Sequence, residues 1–373
     1  METTKQMPLG KKILSVCGKV GLFLITFLLI VAIMLFATMK IICNSSIPAR
    51  NTFITTVLET GQLKFLASLC LSEEEIKEVV AANSMKAMDD DEIDENLIVI
   101  NAKGADHGPE QQGEVIGGHK TEEKPIEIDY IKGLTYNATM MIVKDPSRLS
   151  IATNQNPDGS WPTYGITLEK FVQQNHALGG INAGLYSSTN NTGGYPFGVV
   201  VSHGKIVRNL PQEWSGLVMI GLTEEGILQI IDVSHMTPAQ AQATVTERKI
   251  RDACCFQEEM SSDNNHFVQL VINGTPRKVN GAGSGLNPRT AIGQREDGAL
   301  LLLVTDGRGY NGHAGASAAD LIDLMVKYGA VNAANLDGGS STCMYYDGEY
   351  LQNSVTFYYS QSSWKLPFAF LID

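Results

Sequence analysis

Apolar and polar residues follow sharply different rhythms along this chain. From Val20 to Met39 there are 20 consecutive residues without a charge, VGLFLITFLLIVAIMLFATM. At about 1.5 Å per residue, such a helix crosses a hydrocarbon core of roughly 30 Å. Lys5, Lys11, Lys12 and Lys19 precede the run, and only Lys40 and Arg50 follow closely. That bias keeps residues 1–19 in the cytoplasm as a tail, makes 20–42 a signal anchor, and sends the remainder outside. A cleaved signal peptide has a shorter apolar region of about 7 to 15 residues.

Beyond the anchor, residues 43–88 mix apolar and polar positions in a helical manner and read as a membrane-proximal stalk. Ser72-Glu73-Glu74-Glu75 has the form of a capping box and predicts a helix through about Met88. Residues 89–124 turn acidic and glycine-bearing, a linker with one short apolar run, Leu97 to Ile100, as a strand.

From Pro125 onward short apolar runs alternate with turn residues. Strands are predicted at Tyr136–Val143, Leu217–Leu222, Ile227–Val233, Phe267–Ile272 and Ala299–Thr305. A hairpin over Phe197–Val207 turns at His203-Gly204. Helices are predicted from a Thr167 cap through Leu178, over Pro238–Arg251, and from a Ser317-Ala318-Ala319-Asp320 capping box to Tyr328, stopped by Gly329. The expected fold is α+β (mixed α/β): a single β-rich domain with interspersed helices over 125–373, preceded by the transmembrane helix and helical stalk.

Composition adds three constraints. With 43% hydrophobic and 18% charged residues among 373, the chain can bury a large core. Between Glu73 and Asp129 there are 17 acidic residues and 5 lysines, which carry the whole net charge of −12. The C-terminal two-thirds has no basic cluster, so nucleic acid is excluded as a partner. The six cysteines are scattered without CxxC spacing, which gives neither a disulfide framework nor a zinc site, and adjacent Cys254 and Cys255 read as packing residues. No metal or cofactor is expected, and the oligomeric state is not legible.

The candidate chemistry lies after Gly281. An apolar strand ends in Asp306-Gly307-Arg308, a helix follows, and a second strand ends in Asp337-Gly338-Gly339 before Ser340, Ser341 and Thr342. A helical crossover between two such strands places both carboxylates on one sheet edge. Paired glycines let the backbone approach a ligand, and successive N–H groups in such a turn hold an anion. Either aspartate alone reads as a turn residue more readily than as a catalyst; the pair favours function. His313 sits in the glycine-flanked loop between them, as a site cover or a plain loop residue.

Three blocks then resemble the phosphodiester glycosidases, the family typified by the mannose 6-phosphate uncovering enzyme. They are Asn182-Ala183-Gly184-Leu185-Tyr186, the segment NPRTAIGQREDGALLLLVTDGR from Asn287 to Arg308, and VNAANLDGGSST from Val331 to Thr342. The resemblance covers about Ile126 to the C-terminus. It departs from the family pattern at Ala183 and Ser340, where glycine is usual, so that each adds a β-carbon to an expected ligand loop.

The resemblance implies a hydrolase that releases free sugar and a phosphomonoester from a sugar-1-phosphodiester, and the sequence does not read out whether a metal is needed. A phosphate leaves as an anion, so the site needs a carboxylate for the oxocarbenium-like carbon and donors for the phosphate more than a strong general acid. On this reading Asp337 is the nucleophile or charge stabiliser, and Asp306 is a base or holds a hydroxyl. Arg289, Arg308 and the N–H groups of Gly338 and Gly339 bind phosphate. Asn182 and Ser341 hold sugar hydroxyls, and His313 covers the site. With the predicted topology, the substrate would be a phosphate-linked glycan of an envelope or exopolysaccharide, met outside a single-pass cell-membrane anchor. Two other readings stay open: a metal-dependent phosphodiesterase using Asp306, Asp337 and His313, and a non-catalytic glycan-binding module.

Overall fold

The computed structural model describes residues 9–60, 63–88, 92–100, 124–260, 265–355 and 361–373. Helix α1 (Leu9–Ser45) contains the apolar stretch Val16–Ser45, with mean hydropathy 3.0 and none of its most apolar window buried. By length and composition it can cross a membrane, as the uncharged run predicts.

Three short helices follow: α2 (Ile47–Leu58), α3 (Phe65–Cys70) and α4 (Glu73–Ala81). They bury a small cluster of their own, Ile54, Val57, Leu58, Ala67, Ile76 and Val79. Both bonds of the predicted capping box form at α4, between Ser72 and Glu75. The helix stops well before Met88, because the Asn83 amide folds back onto the Val79 carbonyl and Met85 pairs with Val279.

These helices do not stand clear of the domain. The Lys86 N–H donates to the Lys278 carbonyl at 2.9 Å, and the Asn280 amide bonds the Ala81 carbonyl at 3.1 Å. Residues 92–100, read from sequence as part of a linker, also dock: Ile93 joins the central core, and the Val99 N–H donates to the Glu296 carbonyl at 2.8 Å. Instead of a strand at Leu97–Ile100 there is one 3-10 turn, Glu95–Leu97, followed by extended chain. Residues 101–123, the remainder of the predicted acidic linker, lie outside the described residues.

Among the described residues, the domain is built on three large antiparallel sheets, with a two-stranded ribbon of Glu259–Met260 and Asn265–His266 beside them. The largest orders its strands Ile126–Lys132, Asn137–Val143, Leu300–Thr305, Thr290–Arg295, Ala330–Asn335, Gln269–Ile272 and Thr275–Pro276. A second has the order Glu349–Gln352, Met344–Tyr346, Gly179–Asn182, Phe368–Ile372 and Leu149–Thr153. The third runs Lys205–Asn209, Val199–Ser202, Ile250–Gln257, Leu217–Thr223 and Leu228–Asp232. Side chains from all three meet in one core, for example Leu302, Phe370 and Ile220. Helices α5 (Leu168–Asn175), α6 (Pro238–Glu247) and α7 (Ala318–Lys327) cover the outer faces.

The uninterrupted run Leu300-Leu301-Leu302-Leu303-Val304 follows from this layering. Leu300, Leu302 and Val304 face the shared core, whereas Leu301 and Leu303 face α7. A strand buried on both sides has no polar face and hence no period-two alternation. The same effect hides the strand Ile250–Gln257, which the sequence reading partly absorbed into a helix through Arg251. Its buried Asp252 accepts from the Ile151 and His203 N–H groups and from Arg251. The fold is thus mixed α+β with a β-rich domain, as the pattern predicts.

Candidate active site

Leu300–Thr305 and Ala330–Asn335 both run antiparallel to Thr290–Arg295, which lies between them, so Leu303 and Asn335 flank Ala291. The two outer strands therefore point the same way, and Asp306 and Asp337 follow at the same edge. Both α7 capping-box bonds form, at Ser317 and Asp320, and that helix makes the crossover between them.

Asp337 sits where the first and second sheets meet. Its N–H donates to the Ala183 carbonyl at 3.1 Å, and its carbonyl accepts from Asn182 Nδ2 at 2.6 Å. Asn182 is 1% exposed, and its Oδ1 accepts from the Thr290 hydroxyl at 2.8 Å and the Cys343 N–H at 3.0 Å. The amide expected to hold a sugar hydroxyl is thus spent inside the protein, pinning the backbone that carries Asp337. Gly184 is required beside it: a β-carbon there would lie 2.4 Å from the Cys255 carbonyl oxygen.

The Asp337 side chain itself is half-buried. Burial pushes its carboxyl up to about 7, against the opposing effects of hydrogen bonds from the Ser341 hydroxyl and Gly338 N–H and of the Arg308 charge. Ser341 is 4% exposed and shares a 3.0 Å hydrogen bond with the Tyr186 hydroxyl. Burial and the Asp337 charge push the Tyr186 phenol well above its usual range, so it stays a neutral partner. Ser341 therefore faces the carboxylate rather than a sugar.

The expected anion cradle is absent at Gly338 and Gly339. The Gly338 N–H is turned to Asp337, and the Gly339 N–H donates to the Pro288 carbonyl at 2.8 Å. Both glycines are still needed. A β-carbon on Gly338 would lie 2.9 Å from the Pro288 oxygen, and one on Gly339, at φ +61°, would lie 2.6 Å from an Arg308 nitrogen.

The two arginines part company. Arg289 is 8% exposed, lies over the Phe267 ring, and donates to the Ala316 and Gly285 carbonyls, the Ser284 hydroxyl and Glu59. It is committed within the protein. Arg308 is exposed at the rim, its Nη1 donating to the Ser340 hydroxyl at 2.7 Å. Its left-handed backbone, φ +55°, costs about 1–2 kcal/mol in a residue with a β-carbon. The surrounding loop sustains that conformation through the Arg308 N–H bond to the Ala314 carbonyl and the Gly309 N–H bond to the His313 carbonyl.

Asp306 is 1% exposed. Its Oδ1 accepts the Asn137 N–H at 2.7 Å, and its Oδ2 lies 2.7 Å from Nδ1 of His313. Buried, with each oxygen already bonded, Asp306 does not face a substrate as the expected base, and the carboxylate instead orients the partly exposed imidazole. Among the described residues, no group of three or more His, Cys, Asp or Glu side chains is arranged to hold a metal ion.

The residues departing from the family pattern have separate consequences. Ala183 is 2% exposed, with its methyl in the central core, so it leaves the site unobstructed. Ser340 instead tethers Arg308. Tyr186 and Thr290 were overlooked as supports for Asp337, although both lie inside the sequence blocks that carry the resemblance; Glu59 carried no such signal.

Over 67 residues the chain is 42% identical to the SPbeta prophage-derived uncharacterized protein YomE of Bacillus subtilis (strain 168). That match covers 18% of this chain and a tenth of the relative's length. Among solved structures, the zebrafish N-acetylglucosamine-1-phosphodiester alpha-N-acetylglucosaminidase catalytic domain, auto-inhibited by pro-peptide, aligns with 68% of this chain and 84% of its own, at 18% identity and TM-score 0.48. A hypothetical protein from Synechocystis aligns with 67% of this chain and 64% of its own, at 16% identity and TM-score 0.42. The phosphodiester glycosidase family model matches residues 175–372, more than half of the chain. The chain belongs to the phosphodiester glycosidase family.

Proposed function

We propose that this chain is a membrane-anchored extracellular hydrolase that cleaves sugar-1-phosphodiester bonds in envelope or exopolysaccharide glycans. The observation that carries the reading is the placement of a half-buried carboxylate, Asp337, under the influence of an exposed guanidinium, Arg308, on one rim. The anchor and its lysine bias support the location outside the membrane.

In the proposed reaction the bond between the anomeric carbon and the phosphate oxygen breaks, and its electron pair leaves with the phosphate. Arg308 binds that phosphate and offsets its growing charge. Asp337 acts as nucleophile or charge stabiliser at the anomeric carbon. A poorly solvated carboxylate suits this task, because the positive charge that develops there compensates the burial of the anion. His313, held by Asp306 through Nδ1, takes the proton of the attacking water. The products are the free sugar and a phosphomonoester. Asn182, Ser341, Gly338 and Gly339 act on Asp337 and Arg308 rather than on the sugar.

The test is the full-length chain in detergent, incubated with a panel of sugar-1-phosphodiesters with and without chelator. Sugar release that survives chelator and disappears in Asp337→Asn supports the reading. Retained glycan binding without release across the panel would identify a binding module. Loss with chelator and recovery with a divalent ion would identify a metal-dependent phosphodiesterase.

A further inference from the structure

The most heavily bonded carboxylate near the candidate site comes from outside the family-matched region. Glu59 caps the C-terminus of α2, the helix that begins two residues after α1 ends. Its side chain is 4% exposed. Oε1 accepts the Gly285 N–H at 2.6 Å, and Oε2 accepts Asn287 Nδ2 at 3.1 Å and Arg289 Nη2 at 2.5 Å. One turn earlier, the Thr56 hydroxyl accepts the Leu286 N–H at 3.0 Å. The backbones touch as well: a β-carbon on Gly285 would stand 2.5 Å from the Thr56 nitrogen. A glycine is thus what lets α2 seat on this loop.

The segment held by Glu59 is the one that frames the rim. Asn287 Oδ1 faces Arg308 Nε at 3.4 Å, and the Pro288 carbonyl accepts the Gly339 N–H. The Arg289 N–H donates to the Thr305 hydroxyl, and its carbonyl accepts the Thr305 N–H, each at 2.9 Å, immediately before Asp306. From one carboxylate, hydrogen bonds therefore lead to the phosphate-facing arginine, to the turn after Asp337, and to the strand end that carries Asp306.

We infer that the juxtamembrane helix is a working part of the active site, with Glu59 as a positioning residue that sets Arg308 and the Gly338–Gly339 turn through Asn287, Pro288 and Arg289. The inference rests on the proposed hydrolysis, and it means that the anchor's first extramembrane helix belongs to the site rather than acting as a spacer. The charge pattern fits this role. The Arg289 guanidinium is buried against a protein wall, and Glu59 is the carboxylate bonded to it. Without that partner an uncompensated cation would remain beneath the loop and push it out of place.

The test uses the full-length chain in detergent and compares wild type with Glu59→Gln, with Glu59→Gln/Arg289→Met, and with Glu74→Gln as a remote control on α4. KM and kcat on a sugar-1-phosphodiester are measured beside amide hydrogen exchange. In Glu59→Gln, KM rises at least tenfold, and protection falls at the Gly339 and Thr305 amides while the strand Leu217–Thr223 keeps its own. The double variant, which has no buried unpaired charge, regains thermal stability without regaining the low KM. An unchanged KM, or turnover that rises in Glu59→Gln, would overturn the inference; a rise would mean that the carboxylate obstructs the site. Should the hydrolytic reading itself fail, wild type shows no turnover, while the exchange comparison still decides whether Glu59 holds the rim.

Discussion

Asp337→Asn separates the chemistry of the site from the stability of the fold. In wild type the folded carboxyl keeps its proton up to about pH 7, against an ordinary value of 3.8. At about 1.4 kcal/mol per pH unit, full ionisation costs the folded state up to roughly 4 kcal/mol, trimmed to about 2–4 kcal/mol by the partial exposure of the side chain. The sign follows from proton binding. Between pH 3.8 and about 7 the folded state holds more protons than the unfolded state, so stability falls as pH rises through that window and levels off above it. Asparagine does not titrate. The variant is therefore close to wild type in acid and gains on it as pH rises, with a widening in melting temperature of roughly 4–16 °C by pH 8 at about 2–4 °C per kcal/mol. Any fixed difference between asparagine and protonated aspartate is independent of pH, so the widening is the quantity to read. The assay is thermal unfolding of both proteins in detergent at acid and alkaline pH, beside turnover, which falls at least about a hundredfold in the variant. A melting-temperature gap that stays constant with pH would refute the buried-carboxylate argument, and turnover within tenfold of wild type would refute the role of Asp337.

Four further outcomes are expected. Wild-type kcat rises with pH toward a plateau above about 7, as Asp337 loses its proton, and a profile flat from pH 5 to 8 contradicts the ionised carboxylate as the working form. His313→Gln lowers kcat by about 10²-fold, and Asp306→Asn reproduces most of that loss by releasing the imidazole, as steady-state kinetics of both variants and their double mutant will show. Arg308→Lys raises KM by roughly tenfold, because an ammonium lacks the planar two-point match to phosphate, and product inhibition by phosphomonoester weakens in parallel. Gly339→Ala forces φ +61° onto a residue with a β-carbon and pushes against Arg308, costing about 1–2 kcal/mol in thermal unfolding together with a rise in KM.

Signals written within a few residues were legible. The apolar run at Val20–Met39, the capping boxes at Ser72 and Ser317, and the His203-Gly204 turn each depend on neighbours no more than one helical turn or one hairpin away. The common edge of Asp306 and Asp337 was also legible, since two apolar strands joined by a helix leave few connections open. Polar residues gave up less. Asn182, Ser341, Arg289 and the Gly338–Gly339 turn read as ligand groups because their chemistry suits a phosphosugar. Packing instead turned them onto other groups of the protein, Asn182 onto the Asp337 carbonyl, Arg289 onto Glu59 and Ser341 onto Tyr186, and a buried donor or acceptor is costly unless bonded.

Burial likewise decided which strands were visible. Ile250–Gln257 and Phe368–Ile372 lie between layers and show no alternation to betray them. Glu59 marks the limit most clearly. It lies 230 residues from Arg289, in a segment that reads only as a stalk, and nothing nearby in the chain distinguishes it from the other acids. The sequence set the long apolar helix, the locally capped helices and turns, and the candidate pair of carboxylates. Tertiary packing chose which groups stay open to a substrate, because hydrogen-bond partners and desolvation are settled only when distant segments meet.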